Sequence, residues 1–129
     1  MARILIIDDD EALRSTLRRI LERAGHVSLE AGDGHEGLLR VRQDGVDLVI
    51  TDLIMPKTEG LELMLTLRRE HPGLPVIAMS GGGRVGPESY LATVKLFGAV
   101  RTLAKPFTGE TLLAAVDDVL GIPVRAPEA

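Results

Sequence analysis

The sequence predicts an α/β domain in which one parallel sheet is covered by helices on both faces. Five short apolar runs, each about one strand long, alternate along the chain with amphipathic stretches. The first run shows no polar alternation, which is typical of a strand buried on both faces of a parallel sheet. A chain of 129 residues with 45% hydrophobic side chains suits one domain that buries roughly two-thirds of the surface of its unfolded chain.

The five apolar runs are the predicted strands. They cover residues 3–7, 26–31, 46–51, 75–79 and 100–104. The second strand is more polar than the others and is therefore expected at an edge of the sheet. Strict alternation with helices favours a doubly wound sheet with the strand order 2-1-3-4-5, as in flavodoxin-like folds.

Apolar residues between the strands recur at helical spacing and predict five helices. The stripes of the third and fourth helices are predicted at Leu61, Met64 and Leu65 and at Tyr90, Val94 and Phe97. Gly25 and Gly121 are expected to end the first and last helices, because glycine adopts the left-handed conformation found there. Gly32, Asp33 and Gly34 are predicted to form a turn.

Carboxylates follow two of the predicted strands. Asp8, Asp9 and Asp10 come directly after the first strand, and Asp52 follows the third. In the predicted strand order these two strands are neighbours, so the acidic groups are expected to meet. Like charges about 4 Å apart repel by about 4 kcal/mol at an effective dielectric of 20. A set of oxygen ligands that needs positive charge predicts a site for a hard divalent cation such as Mg²⁺.

The other strand ends carry a hydroxyl and a cation. Ser80 ends the fourth strand, and Lys105 follows the fifth. Asp10 is predicted to cap the following helix rather than to act in the site. A carboxylate nucleophile, an acidic metal site, a hydroxyl and a lysine at one edge of a sheet together suit phosphoryl transfer onto aspartate.

Composition excludes several other classes of protein. The net charge of −4 argues against direct nucleic-acid binding, and the absence of cysteine excludes disulfide and thiolate sites. No apolar stretch is long enough to span a membrane, so a cytoplasmic protein without membrane contact is expected. His26, His35 and His71 are widely spaced and are predicted to lie on the surface.

Read together, the strand-end motifs resemble the receiver domain of two-component response regulators. The motifs are Ile6-Ile7-Asp8-Asp9-Asp10, Asp52-Leu53-Ile54-Met55-Pro56, Gly60, Ala78-Met79-Ser80-Gly81 and Lys105-Pro106-Phe107. The resemblance covers about residues 2–121, so residues 1–121 are expected to form the receiver and residues 122–129 a tail or truncated linker. No effector domain follows, which suggests a stand-alone regulator similar to the chemotaxis type.

The resemblance implies a chemical role for each strand-end residue. Asp52 would accept a phosphoryl group from a phosphohistidine or a small phosphodonor. Asp9, Asp52 and the backbone carbonyl of Ile54 would bind Mg²⁺ directly, with Asp8 acting mainly through a bound water. Lys105 would pair with Asp52 and then with a phosphoryl oxygen, and the peptide bond that follows it would be cis.

The resemblance also implies a switch. Ser80 would bind the phosphoryl group and draw its loop inward, and Gly81 would leave room for that group. Thr102 stands where the family usually has an aromatic ring that turns inward on activation, so we expect signalling to rely on Ser80 and on backbone shifts in the loop after the fourth strand.

Other departures lie in the loops. The segment from Gly81 to Pro87 is about three residues longer than the family pattern. Two interpretations are open: a slack surface loop, or a flap over the phosphorylation site from which Arg84 reaches the phosphoryl group. Ile54 and Gly82 stand where polar side chains often guide the hydrolytic water. Slow loss of the phosphoryl group is therefore expected.

The expected partners are a sensor histidine kinase or phosphotransfer protein and an unidentified downstream protein. The last two helices with the fifth strand are the expected output surface, and the protein is expected to be a monomer or weak dimer. One alternative is a degenerate receiver that binds partners without phosphorylation. Another is a phosphatase of the haloacid-dehalogenase type, although Ala12 stands where its motif requires threonine or valine.

Overall fold

A computed structural model describes residues 2–52, 59–80 and 101–121, with the side chains of residues 59–61 and of Ser80 outside the description. The strands are β1 (Arg3–Ile7), β2 (Val27–Ala31), β3 (Leu48–Asp52), β4 (Val76–Ser80) and β5 (Arg101–Ala104). The helices are α1 (Glu11–Arg23), α2 (Gly34–Asp44), α3 (Glu59–Glu70) and a C-terminal helix (Gly109–Leu120).

The five strands form one parallel sheet in the order β2-β1-β3-β4-β5. This confirms the predicted α/β architecture, the strand order and the edge position of the second strand. The bounds of β1 agree with the prediction, and the other strand boundaries differ from it by at most two residues, the largest shift being at the start of β3. The predicted fourth helix, with Tyr90, Val94 and Phe97, lies outside the described residues.

Each face of the sheet has its own aliphatic core. On one face α1 and the C-terminal helix pack against β1 and β3; the members of this core with no exposed surface include Ile4, Ile6, Leu21, Ile50, Leu112 and Val116. On the other face α2 and α3 cover the sheet, and that core includes Leu5, Ile7, Val41, Val49, Met64 and Leu67. The two cores bury the central strands on both sides, as parallel sheets require.

Capping residues set the ends of the helices. Asp10 and Asp33 accept hydrogen bonds from the backbone amides of Leu13 and Glu36 at the starts of α1 and α2. Gly121 follows the C-terminal helix in the left-handed conformation, as predicted. Gly34, however, is the first residue of α2 and not part of the turn, because the cap at Asp33 starts the helix there.

Two other sequence predictions are wrong. Leu65 was assigned to the buried stripe of α3, but it is 43% exposed, and Leu63 and Leu67 occupy the core positions beside Met64. His26 was placed on the surface, but it is 8% exposed, and its Nδ1 accepts a hydrogen bond from the Ala2 amide. His26 thereby satisfies a buried backbone donor next to the start of β1.

Candidate functional site

The strand register brings the acidic residues together at the carboxyl edge of the sheet. Ile7 in β1 lies beside Thr51 in β3, so the residues that follow them, Asp8 and Asp52, also lie side by side. Carboxylate oxygens of Asp8, Asp9 and Asp52 come within 4.8 Å of one another. Asp8 and Asp52 are buried, whereas Asp9 is exposed.

Lys105 places a positive charge in direct contact with this acidic cluster. Its Nζ lies 3.0 Å from Asp8 Oδ2 and 3.2 Å from Asp52 Oδ2, so one ammonium group bridges the two buried carboxylates. The Lys105–Pro106 peptide bond is cis, as the sequence motif led us to expect.

The electrostatics of the cluster favour a cation. Partial desolvation of its carboxyl group, contact with Asp8 and the charges of Asp8 and Asp52 raise the pKa of Asp9 above its ordinary value, because each disfavours the ionised form. Partial burial acts to lower the pKa of Lys105, but its hydrogen bonds and charge attraction to Asp8 and Asp52 outweigh this and raise it. Lys105 therefore stays charged, and its ion pairs are with Asp8 and Asp52.

The backbone around Asp8 is fully hydrogen-bonded. Its amide donates to the Ala31 carbonyl at 3.1 Å, and its Oδ1 accepts from the Asp10 amide at 2.9 Å. The Asp8 carbonyl accepts a hydrogen bond from Arg14 Nη1 at 2.6 Å. Asp8 is thus held by β2, by the start of α1 and by Lys105.

The remaining residues predicted for the site are described only in part. Ser80 ends β4 beside Ala104, which places its backbone at the same edge, but its side chain is not described. Thr102 lies beside Ala78 and is half-buried. Ile54, Gly81, Gly82 and Arg84 lie outside the described residues.

Sequence reasoning missed Arg14. Nothing in the residue types marks it, because α1 carries four arginines and a helical arginine most often lies in solvent. The available signal was the spacing: Arg14 is one turn before Arg18, and the edge strand β2 carries Glu30, a carboxylate that both can reach.

A family model described as the response regulator receiver domain matches residues 4–117. Curated relatives include the transcriptional regulatory protein GlrR of Escherichia coli, 35% identical over 119 residues, and the response regulator MprA of Mycolicibacterium vanbaalenii, 37% identical over 118 residues. Each alignment covers 92% of this chain but only 26% of GlrR and 50% of MprA. The chain therefore spans a quarter to a half of the length of these relatives.

Solved structures share the fold over nearly the whole chain. A receiver domain protein from Clostridium thermocellum has a TM-score of 0.81 and 31% identity, and the alignment covers 94% of this chain and 95% of that one. The chemotaxis protein CheY4 of Vibrio cholerae has a TM-score of 0.81 and 30% identity, with 92% and 98% of the two chains covered. None of the described helices has the length and hydrophobicity needed to cross a membrane.

Proposed function

Because the chain belongs to the family of response regulator receiver domains, phosphoacceptor domains of two-component signalling, we propose that Asp52 is its phosphoacceptor. The proposed donor is a phosphohistidine on a sensor histidine kinase or phosphotransfer protein. One observation carries the proposal: a buried carboxylate, Asp52, shares a cluster with two further carboxylates and a lysine. The haloacid-dehalogenase alternative is wrong, since the family match covers most of the chain.

The donor atoms fit a magnesium ion. Three carboxylates supply hard oxygen ligands within one small cluster. The single positive charge of Lys105 cannot neutralise all three of them. We assign the metal to Asp8, Asp9, Asp52 and the backbone carbonyl of Ile54. When bound, the ion would neutralise charge on the phosphoryl oxygens and on the attacking carboxylate.

The transfer step uses groups of the chain itself. An Asp52 carboxylate oxygen would form the bond to phosphorus while the bond between phosphorus and the donor's histidine nitrogen breaks. Lys105 would hold Asp52 in place before the transfer and would then contact a phosphoryl oxygen. Its ammonium group already lies at hydrogen-bonding distance from Asp52, so it can stabilise the negative charge on that oxygen without moving far. Asp52 is thus both nucleophile and ligand, and Ser80 is assigned as a hydroxyl donor to the phosphoryl group.

Phosphorylation would act as a switch through the edge of the sheet. The added negative charge needs new hydrogen-bond donors, and Ser80 and Lys105 end or follow the two strands beyond β3. Gly81 would give the phosphoryl group access. Thr102 lacks a ring, so we assign the readout to Ser80 and the backbone rather than to an aromatic side chain.

The receiver is proposed to comprise residues 1–121, with residues 122–129 as a tail or truncated linker. Output would pass to an unidentified protein through the surface formed by β5 and the helices near it. A cytoplasmic location and a monomer or weak dimer belong to the same proposal. Direct contact with nucleic acid or membrane forms no part of it.

The phosphorylated form should lose its phosphoryl group slowly. Ile54 and Gly82 have no polar side chain that can orient the attacking water. In the isolated protein, Ile54→Asn should shorten the half-life of the phosphorylated form several-fold, measured by intact mass against time after the donor is removed. A wild-type form that loses phosphate as fast as the variant would contradict this prediction.

Intact mass after incubation with acetyl phosphate and Mg²⁺ tests the proposed function. The wild type should gain one phosphoryl group, Asp52→Asn should gain none, and the control Asp10→Asn, which alters only the helix cap, should behave as wild type. If neither acetyl phosphate nor phosphorylated histidine kinases modify the wild type, the domain is the alternative: a degenerate receiver that binds its partners without phosphorylation.

A further inference from the structure

Arg14 is set apart from the other arginines of α1 by its burial. Its side chain is 16% exposed, whereas that of Arg18, one turn later, is 50% exposed. Burying a guanidinium group is unfavourable unless its donors are paired. The partners of Arg14 therefore indicate what it does.

Arg14 forms hydrogen bonds both to the turn after β1, which carries Asp8 and Asp9, and to the edge strand β2. Its Nη1 donates to the Asp8 carbonyl at 2.6 Å, and its Nε donates to Glu30 Oε1 in β2 at 3.1 Å. The other carboxylate oxygen of Glu30 is 3.2 Å from Arg18 Nη1. Glu30 thus holds both arginines, but among their described hydrogen bonds only that of Arg14 reaches the turn after β1.

The contact with the Asp8 carbonyl fixes the peptide unit that precedes the Cα atom of Asp9. The Asp8 carbonyl and the Asp9 amide belong to one planar peptide unit, so anchoring the oxygen sets the orientation of the whole unit. The Asp8 amide and carboxylate are already held, by Ala31 and by Asp10 and Lys105. Asp9 itself is exposed, and its direction depends on the peptide unit before it.

We propose that Arg14 is a positioning residue for the cation site, holding the β1–α1 turn so that Asp8 and Asp9 face Asp52 together. This inference rests on the proposed Mg²⁺ site. It adds a residue beyond Lys105 and Ser80, the residues assigned to bind the phosphoryl group. It predicts that the guanidinium group increases the affinity for Mg²⁺ through its hydrogen bond to the Asp8 carbonyl. Its ion pair with Glu30 orients it for that purpose.

The test compares two glutamine variants, of which only one loses a contact with the turn after β1; Arg18→Gln loses its surface ion pair with Glu22 instead. Arg14→Gln and Arg18→Gln each remove an ion pair to Glu30, but only Arg14→Gln removes the hydrogen bond to the Asp8 carbonyl. Mg²⁺ binding to the full chain is measured by titration calorimetry, at a temperature where thermal melts show both variants to be folded. Arg14→Gln should weaken binding about tenfold, as is common when a supporting partner of a metal ligand is lost. Arg18→Gln should bind as wild type.

Phosphorylation kinetics separate positioning from general damage. In Arg14→Gln the Mg²⁺ concentration for half-maximal phosphorylation by acetyl phosphate should rise by the same factor, while the rate at saturating Mg²⁺ stays near that of wild type. Arg14→Lys keeps the charge but lacks the fork that reaches two acceptors, so it should bind Mg²⁺ with intermediate affinity. It also serves if Arg14→Gln does not fold.

Two results would overturn the inference. One is equal Mg²⁺ affinity in wild type, Arg14→Gln and Arg14→Lys; the other is an equal loss in Arg14→Gln and Arg18→Gln. A wild type that binds no Mg²⁺ would instead contradict the proposed function from which the inference starts, so the two failures are distinguishable.

Discussion

Lys105 is the residue on which the cluster depends when no metal is bound. It bridges Asp8 and Asp52, whose side chains are 1% and 7% exposed. Removing one partner of a buried ion pair leaves an uncompensated buried charge. Lys105→Met should therefore lower the free energy of unfolding by about 3 kcal/mol at neutral pH without Mg²⁺, measured by urea denaturation.

Arg101 provides a matched control for Lys105. It pairs with Asp118 at the surface, where both side chains are exposed, and it lies in β5, the strand that Lys105 follows. Arg101→Met should cost less than about 1 kcal/mol, because exposed ion pairs contribute little. Equal losses in the two variants would show that Lys105 does not balance buried charge.

Asp9 should make stability depend on pH. Its raised pKa means that the folded protein binds this proton more tightly than the unfolded chain does. Without Mg²⁺, the free energy of unfolding should therefore fall as the pH rises from the ordinary carboxyl range through the raised pKa. Asp9→Asn should remove this part of the fall and be more stable than wild type above that range. Urea denaturation across a pH series measures it, and parallel profiles for the two proteins would refute it.

At the level of the elements, the strands and their meeting point followed from the sequence. Apolar runs buried on both faces have few alternatives to a parallel sheet, and the strand order then requires Asp8 and Asp52 to meet. Contacts made by single long side chains could not be predicted this way. Lys105 bridges two carboxylates rather than pairing with Asp52 alone, and Arg14 reaches back to a carbonyl.

The errors have the same origin. Leu65 fits an apolar stripe by residue type, but the rotation of α3 about its own axis puts Leu63 and Leu67 in the core instead. His26 opens a short polar strand, a position that favours exposure, and only its hydrogen bond with the backbone amide of Ala2 accounts for its burial. Local pattern specifies an element, whereas the rotation of that element is set by packing.

Helix α2 can lie close to β1 because Gly37 has no side chain. A Cβ at Gly37 would lie 2.4 Å from Ile7 Cδ1 and 2.9 Å from its Cγ1. Gly37→Ala should gain helix propensity of about 1 kcal/mol but lose about 1–3 kcal/mol to overpacking, for a net destabilisation of about 1 kcal/mol. Thermal and urea denaturation measure the difference.

A second substitution tests the cause. Ile7→Val removes the Cδ1 atom and should cost about 1 kcal/mol alone, yet cost less in the Gly37→Ala background. Strict additivity of the two changes would mean that the contact between α2 and Ile7 is not responsible. Ile7 directly precedes Asp8, so a shift here should also weaken Mg²⁺ binding.

At the scale of the whole molecule, Mg²⁺ binding and folding are thermodynamically linked. The carboxylates come from the ends of β1 and β3, two strands that are buried between both cores, so an unfolded chain cannot assemble them. Mg²⁺ should therefore raise the free energy of unfolding of the wild type by about 2.7 kcal/mol when its concentration is 100 times the dissociation constant. Asp9→Asn should show little of this gain in thermal melts with and without Mg²⁺. An equal gain in both proteins would place the ion elsewhere.

The central claim is that Asp52, and no other carboxylate of the cluster, takes the phosphoryl group. The direct measurement is borohydride reduction after incubation with acetyl phosphate and Mg²⁺, which converts an aspartyl phosphate to homoserine, followed by peptide sequencing by mass spectrometry. Homoserine at position 52 alone, within the tryptic peptide of residues 43–57, is the predicted result. Homoserine at position 8 or 9 would contradict the account, because it would make the proposed metal ligands the acceptors.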